Sequence, residues 1–333
     1  MLATPGGPGW AAFPAGRMPA LAESGSAGRS CGMTAADLPA HGRYRYAPWP
    51  QRPRYAWPNG SKLALYLGVN LEHFAFGEGL GAELAPGGPQ PDVMNYAWRD
   101  YGNRVGGWRL LELLDELALP ATVLLNTAMY GYAPELVAAH RARGDEMAGH
   151  GRTNSERQSV LDEAAERALV EASIAGIAQH EGRPPRGWLS PWIAESRVTP
   201  DLLAEAGLAY TLNWCMDDQP VWLATRGGGR LLSIPYPQEA NDIPAIIGRK
   251  DGAEQFAAML RDDFEERLDQ VARDGIPQVM GVALHPYIVG QPYRLRALRR
   301  ALQAMLERRD DVWVTTAGGV CDHMLSLPEG TVP

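Results

Sequence analysis

The chain has few cysteines, three in 333 residues, and Cys31, Cys215 and Cys321 show no C-x-x-C spacing. An odd, scattered set argues against a disulfide framework and for free thiols in a reducing compartment. Basic charge is also short: 31 Lys and Arg stand against 39 Asp and Glu, a net charge of −8. Phosphate binding needs a basic patch, which argues against a nucleic-acid partner. No apolar run reaches the roughly 18–20 residues of a membrane span. No Lys/Arg-led apolar core opens the chain. A cytoplasmic protein with no membrane partner is expected. No Gly-rich dinucleotide fingerprint follows the first strand pattern, which counts against a nucleotide-binding wound sheet.

Residues 1–40 are rich in Gly, Pro, Ala and Ser. Such a stretch buries too little apolar surface to offset its ordering entropy, so a disordered arm is expected there. A translation start at Met33 is the alternative. Residues 41–333 are expected to form one domain. Strands are predicted at 63–71, 120–126, 145–150, 186–190, 209–214, 230–236, 277–285 and 311–316. Helices are predicted at 105–119, 133–144, 161–182, 199–207, 253–274 and 292–309, the second opening on Pro134 and closing on Gly144. This alternation is the signature of an α/β fold with a parallel sheet, and an irregular (β/α) barrel is the expected form.

Active sites of such barrels lie at the C-terminal ends of the strands. Here those ends carry Asn70, Glu72, Asn126, His150, Ser190, Asp217, Asp218 and His285. A run of such endings on successive strands is hard to attribute to loop composition. Glu72 alone reads equally as a helix cap or a solvated charge. Its neighbour His73 is expected to point the other way. His150 and Asn154 stand in an His-x3-Asn spacing that would bring them together on one helical turn. The neutral amide is a poor zinc ligand, and Thr153, Asn154 or Ser155 would serve as well as the N-cap of the next helix. Asp217 and Asp218 form either an acid–base pair or a turn before Gln-Pro, with one facing in and one out as the compromise. His285 ends an apolar run, where an imidazole suits proton transfer near neutral pH; a hydrogen-bonded core histidine is the alternative. Trp98, Tyr101, Trp188, Trp192, Trp214, Trp222 and Tyr287 gather near these points. Some would wall a flat pocket, with Arg104 or Gln291 supplying polar contacts.

The stretches VNLE (69–72), YGNRVGGWRLL (101–111), GHG (149–151), MDDQPVW (216–222), IPYPQEAND (234–242) and LHPYIVGQPYRL (284–295) together resemble the polysaccharide deacetylase superfamily. They are most similar to its allantoinase and cyclic-imide hydrolase branch. The resemblance covers the chain from about Arg45 to the last strand. It implies a distorted (β/α)7 barrel, a homo-oligomer, and hydrolysis of a C–N amide or imide bond in a small molecule. It implies His150 as a first metal ligand, His285 as general acid, and Glu72 as a ligand carboxylate. A register shifted by one would make Glu72 the base and His73 the ligand.

The departures are Asn70 in place of a base aspartate, Asn154 in place of the second ligand histidine, and Trp188-Leu189-Ser190-Pro191 without the usual arginine. The cofactor expectation is therefore none, or a weakly held divalent metal such as zinc on Glu72, His150 and Asn154. Tyr101, Arg104, Trp188, Trp214, Asn241 and Gln291 are expected to bind substrate. The expected activity is ring opening of a small cyclic amide, imide or ureide. Glu72 or one of Asp217 and Asp218 would activate water, His285 would protonate the leaving nitrogen, and His150 would stabilise the oxyanion. The alternatives are a metal-dependent chitooligosaccharide N-deacetylase and a non-catalytic relative that binds a ring ligand.

Overall fold

Strand β1 (Leu63–Leu71) is buried along its whole length, as expected of a central parallel strand covered on both faces. Eight more strands follow: β2 (Ala121–Leu125), β3 (Glu146–Gly149), β4 (Gly187–Trp188), β5 (Tyr210–Thr211), β6 (Val221–Ala224), β7 (Arg230–Ser233), β8 (Gln278–Leu284) and β9 (Val312–Thr315). This computed structural model describes residues 40–333. The arm expected over 1–40 lies, save for Ala40, outside the described residues, as do Cys31 and Met33.

The sheet runs β6-β7-β5-β4-β3-β2-β1-β8. Only β6 is antiparallel, paired to β7 as a hairpin that the sequence reading did not anticipate. The remaining strands of that row, β7 to β8, are the parallel staves of the expected (β/α)7 architecture. Strand β9 pairs with Leu63–Tyr66 of β1, while β2 pairs from Leu67 onward. The sheet curls into an incomplete barrel. Between β7 and β8 the 234–241 segment bridges the gap, with Asn241 set against Ala283.

Helices cover the outside, and their ends follow local chemistry. Glu163–Glu181 starts behind Asp162, whose side chain accepts the Ala165 N–H at 2.8 Å, and stops at Gly182 in a left-handed conformation. Pro134–Arg143 begins on its proline and ends at left-handed Gly144, as predicted. Two helices, Val93–Tyr101 and Gly107–Leu117, run into each other through a π-helical stretch, Gly102–Gly106. That wider turn presses the helix onto the chain just after β8. A Cβ on Gly106 would sit 2.2 Å from the Pro286 carbonyl oxygen, and one on Gly102 would sit 2.7 Å from the Tyr287 nitrogen. Only glycine permits this approach.

Candidate active site

Glu72, Asn126, His150 and His285 each follow directly on a strand: β1, β2, β3 and β8. The parallel sheet therefore delivers them to one rim, as barrel geometry requires. Glu72, His150 and His285 are 4%, 2% and 4% exposed. They line a pocket of about 120 Å³ together with Asn154, Trp192, Tyr236, Gln238 and Asn241.

The Glu72 carboxylate is the hub. Its Oε1 lies 3.4 Å from His150 Nε2 and 3.4 Å from His285 Nε2, and its Oε2 lies 3.3 Å from the Tyr287 hydroxyl. Burial alone would raise the carboxyl. The charge of His285 and the hydrogen bonds of both imidazoles outweigh that and hold it down at about 2. At 3.4 Å, an imidazolium attracts a carboxylate by about 5 kcal/mol at an effective dielectric of ~20. That matches or exceeds the several kcal/mol of desolvation such an ion suffers.

His285 is fixed from behind by Asp242. One carboxylate oxygen accepts the ring Nδ1–H at 2.6 Å, the other the backbone N–H at 2.7 Å. Burial raises the Asp242 carboxyl above its usual value, although His285 pulls it down in part. Two N–H donors, one on each oxygen, favour the carboxylate form. Burial lowers His285, yet Asp242 and Glu72 together lift it to about 10. His285 is thus an imidazolium at neutral pH, with its Nε2–H turned to Glu72 and the pocket.

His150 is set differently. Its Nδ1 lies 2.7 Å from the Leu189 carbonyl, which can only accept, so Nδ1 carries the proton. Its Nε2 faces the pocket. Asn126 braces the rim: its Oδ1 accepts the His73 N–H at 2.9 Å and its Nδ2 donates to the His150 carbonyl. Asn103, on the π-helical stretch, donates to the Glu72 carbonyl at 2.9 Å. The pocket wall carries two consecutive non-glycine residues in the left-handed region, Trp192 (φ 61°) and Ile193 (φ 53°). Each such residue costs on the order of 1–3 kcal/mol, and such strain gathers at functional sites. Trp192 is pinned by its indole N–H, which donates to the Asn154 carbonyl at 2.7 Å.

Several expectations need correction. His150 and Asn154 do meet at the pocket, but on a loop and not on a helical turn; the helix after them starts only at Glu163 and is capped by Asp162, so Thr153, Asn154 and Ser155 are not its cap. His73 packs against Tyr132 with ring centroids 4.5 Å apart and planes tilted by 49°, and does not line the pocket, which removes the shifted register. Asp217 and Asp218 lie away from Glu72. Asp217 pairs with Arg52, and Asp218 with Arg267 at 2.7 Å, beside a separate hollow of about 260 Å³. Trp188 is wholly buried and donates to Ser190. Trp214 donates to Glu195 at 2.7 Å and sits against His41 and Tyr44. The Tyr101 hydroxyl accepts from Arg109. Arg104 lines another hollow with Trp108 and Tyr132, and Gln291 precedes the helix Pro292–Leu306. Of the six expected substrate contacts, Asn241 alone lines the pocket.

Asp242 and Gln238 were missed as individual residues. Asp242 stands 43 positions before its partner His285, so no local spacing points to it.

The side chains do not fit a zinc centre. Glu72, His150 and Asn154 offer one carboxylate, one imidazole and one neutral amide, and an amide oxygen is a poor zinc ligand. Among the described residues no group of three His, Cys, Asp or Glu is placed to hold a metal.

No family model matches the chain. A candidate polysaccharide deacetylase of Schizosaccharomyces pombe is 26% identical over 289 residues, 78% of this chain and 89% of that one. A peptidoglycan deacetylase of Helicobacter pylori is 22% identical over 65% of this chain and 82% of its own. Among solved structures, a candidate polysaccharide deacetylase from Pseudomonas aeruginosa PAO1 superposes with TM-score 0.75 at 26% identity, covering 85% of this chain and 97% of that one. An allantoinase superposes with TM-score 0.71 at 24% identity, over 84% and 93%, a likeness of fold.

Proposed function

We propose that this chain, which its relatives indicate to be of the polysaccharide deacetylase superfamily, hydrolyses a C–N bond other than a peptide bond in a small cyclic amide, imide or ureide. The observation that carries the reading is the buried Glu72 carboxylate and His285 imidazolium, 3.4 Å apart at the floor of one small pocket.

His150 keeps a proton on Nδ1, and in the tautomer that leaves Nε2 bare it presents a lone pair there, 3.4 Å from Glu72 Oε1. A water donating one O–H to each would be held there and polarised for attack. As its oxygen bonds to the carbonyl carbon, its proton passes to Glu72. The C–N bond breaks as His285 Nε2–H protonates the leaving nitrogen. The two transfers assist each other: His285 loses the charge that held Glu72 acidic, so the carboxylate becomes a better base as the acid is spent. A proton returning from Glu72 to His285 resets the pair. This assigns His150 to the water and not, as first expected, to the oxyanion.

A second reading, removal of N-acetyl groups from a polysaccharide, is supported by what the S. pombe and H. pylori relatives are described to be. One panel separates the two: hydantoin, dihydrouracil, succinimide and a chitooligosaccharide, each with added zinc and with chelator. Ring opening that chelator leaves intact supports the first reading. Acetate release that depends on zinc replaces it with the second. Folded protein inert towards all four in every condition would sink both.

A further inference from the structure

Hydrolysis of a carbonyl C–N bond places negative charge on the carbonyl oxygen in the transition state. A donor aimed at that charge speeds the reaction more than one that binds substrate and transition state alike. With His150 turned to the water, Glu72 to its proton and His285 to the leaving nitrogen, that oxygen has no partner. The pocket lining carries one hydroxyl, that of Tyr236. Its position follows from β1. Gly68, Asn70 and, one residue past the strand, Glu72 alternate with residues of the opposite face, so all three turn the same way. The Tyr236 ring lies on Gly68, where a Cβ would sit 3.2 Å from its Cε2. Its hydroxyl oxygen accepts from Asn70 Nδ2 at 3.1 Å. The ring therefore runs along β1 with its polar end towards Glu72. Residues i and i+2 of a strand are about 7 Å apart, near enough for one carbonyl group to meet both the hydroxyl and the water held by Glu72.

The hydroxyl has a hydrogen to give. Among the described residues its acceptor is Asn70 Oδ1, at 3.5 Å, whereas an ordinary O–H···O bond spans about 2.5–3.0 Å. Burial first, then the Asp242 and Glu72 carboxylates, hold the phenol above its ordinary value against the pull of the Asn70 hydrogen bond. It therefore stays a neutral donor. Other N–H groups of the lining are spent. Trp192 donates to the Asn154 carbonyl at 2.7 Å, and Asn70 Nδ2 donates to the Leu284 carbonyl at 3.3 Å as well as to Tyr236. We infer that Tyr236 is a catalytic residue whose O–H donates to the substrate carbonyl oxygen as it becomes an oxyanion, with Asn70 as the positioning residue that orients the hydroxyl. The inference rests on the C–N hydrolysis reading and applies to a ring carbonyl and an acetyl group alike. No proton changes hands in this contact. The hydrogen stays on the phenol, and the bond tightens as charge builds on the oxygen. Asn70 Nδ2, donating into the hydroxyl oxygen, leaves its hydrogen free to turn to the pocket and polarises it.

The test measures kcat and KM of the wild type, Tyr236→Phe, Asn70→Leu and the double variant. The substrate is whichever of hydantoin, dihydrouracil, succinimide and a chitooligosaccharide the wild type turns over fastest. Phenylalanine keeps the ring on Gly68 and removes the hydroxyl alone. Tyr236→Phe should lower kcat about 10²- to 10³-fold. KM should stay within about threefold, because the bond is made in the transition state. Asn70→Leu should lower kcat about tenfold. Added to Tyr236→Phe it should cost less than about twofold more, because both act through one hydroxyl. A full further loss in the double variant would remove the positioning role of Asn70. Calorimetry gives a readout without turnover. The cyclic sulfonamide isothiazolidine 1,1-dioxide presents tetrahedral sulfonyl oxygens in place of the planar carbonyl. Its binding should weaken about tenfold in Tyr236→Phe, while that of succinimide changes little. Turnover by Tyr236→Phe with kcat within about threefold of wild type, or the large loss found in Asn154→Leu instead, would overturn the role and leave C–N hydrolysis standing. Absence of turnover with selective loss of sulfonamide binding would remove the hydrolytic reading and keep the donor. A wild type that neither turns over a substrate nor binds the sulfonamide would overturn both.

Discussion

Replacing Asp242 by Asn tests the chemistry of the site without touching a group that meets substrate. Asp242 holds His285 through the backbone and ring N–H groups at 2.7 and 2.6 Å. The ring is lifted from an ordinary 6.5 to about 10, with burial opposing and Asp242 ahead of Glu72 as the attracting charge. At about 1.4 kcal/mol per pH unit, that is a net preference of about 5 kcal/mol for the imidazolium. Asparagine keeps an oxygen for Nδ1–H but removes the charge, and with it the larger share of the attraction. The ring should then lose its proton at about pH 8 or below. His285 must be protonated to serve the leaving nitrogen, so activity falls as pH rises through this value. The assay is kcat/KM for ring opening from pH 5 to 10.5. The wild type should hold its activity up to about 10; Asp242→Asn should bend downward about two pH units earlier. A variant weakened equally at every pH, with its alkaline limb unmoved, would refute the reasoning. Stability follows the same charges. The His285 contribution is complete below 6.5 and is lost as pH rises through about 10, whereas that of Glu72 is complete above 4.5 and is lost as pH falls through about 2.

Asn126→Leu should destabilise the protein by about 1–3 kcal/mol in urea melts, because it strands the His73 N–H and the His150 carbonyl; unchanged stability would remove its bracing role. Asp218→Asn should leave ring opening within about twofold, since Asp218 is engaged with Arg267 in a part-exposed pair away from Glu72. A large loss there would restore it to the catalytic set. Glu195 is pushed up by burial to about 7 against the pull of Asn213 and Trp214. The folded protein therefore binds a proton that the unfolded chain has released between 4.5 and about 7, and stability should decline as pH rises through that window. Glu195→Gln should flatten the decline by a few °C in melts at pH 5 and 8, corresponding to roughly 1–3 kcal/mol; parallel declines in both proteins would count against it.

The strands that deliver the site were legible because parallel, doubly buried strands read as continuous apolar runs. Glu72, His150 and His285 stood out as the polar ends of those runs. The shorter staves were overread: 186–190 and 209–214 shrink to Gly187–Trp188 and Tyr210–Thr211. Periodicity reports burial rather than ladder hydrogen bonds, and both segments are buried well beyond their paired residues. The β6–β7 hairpin was missed because its first strand, Val221–Ala224, is only 4 residues long. Of the aromatics expected near the site, Trp192 lines the pocket while Trp188 and Trp214 do not. Trp188 is large enough to fill the core under the helix Glu163–Glu181, and composition alone does not separate a core indole from a pocket wall. Asp217 and Asp218 looked catalytic as neighbours in sequence, yet each found an arginine in space, Arg52 and Arg267. Gln238 and Asp242 come from the stretch that closes the barrel, and only the closure itself brings Gln238 to the pocket and Asp242 behind His285.

The glycine contact between the π-helical stretch and the chain after β8 limits where this pocket can change. Gly102 and Gly106 meet the backbone of Pro286 and Tyr287 with no room for a methyl group, so the acid His285 and the hub Glu72, held through Asn103, are locked to one immobile wall. Adaptation to larger substrates has to come from the facing side, along Trp192–Ile193 and the lining residues Gln238, Asn241, Ile243 and Pro244, with Asp242 kept for its hold on His285. The pocket is in that sense a vice with one fixed jaw: selection or design can reshape the other jaw without disturbing the proton-transfer pair.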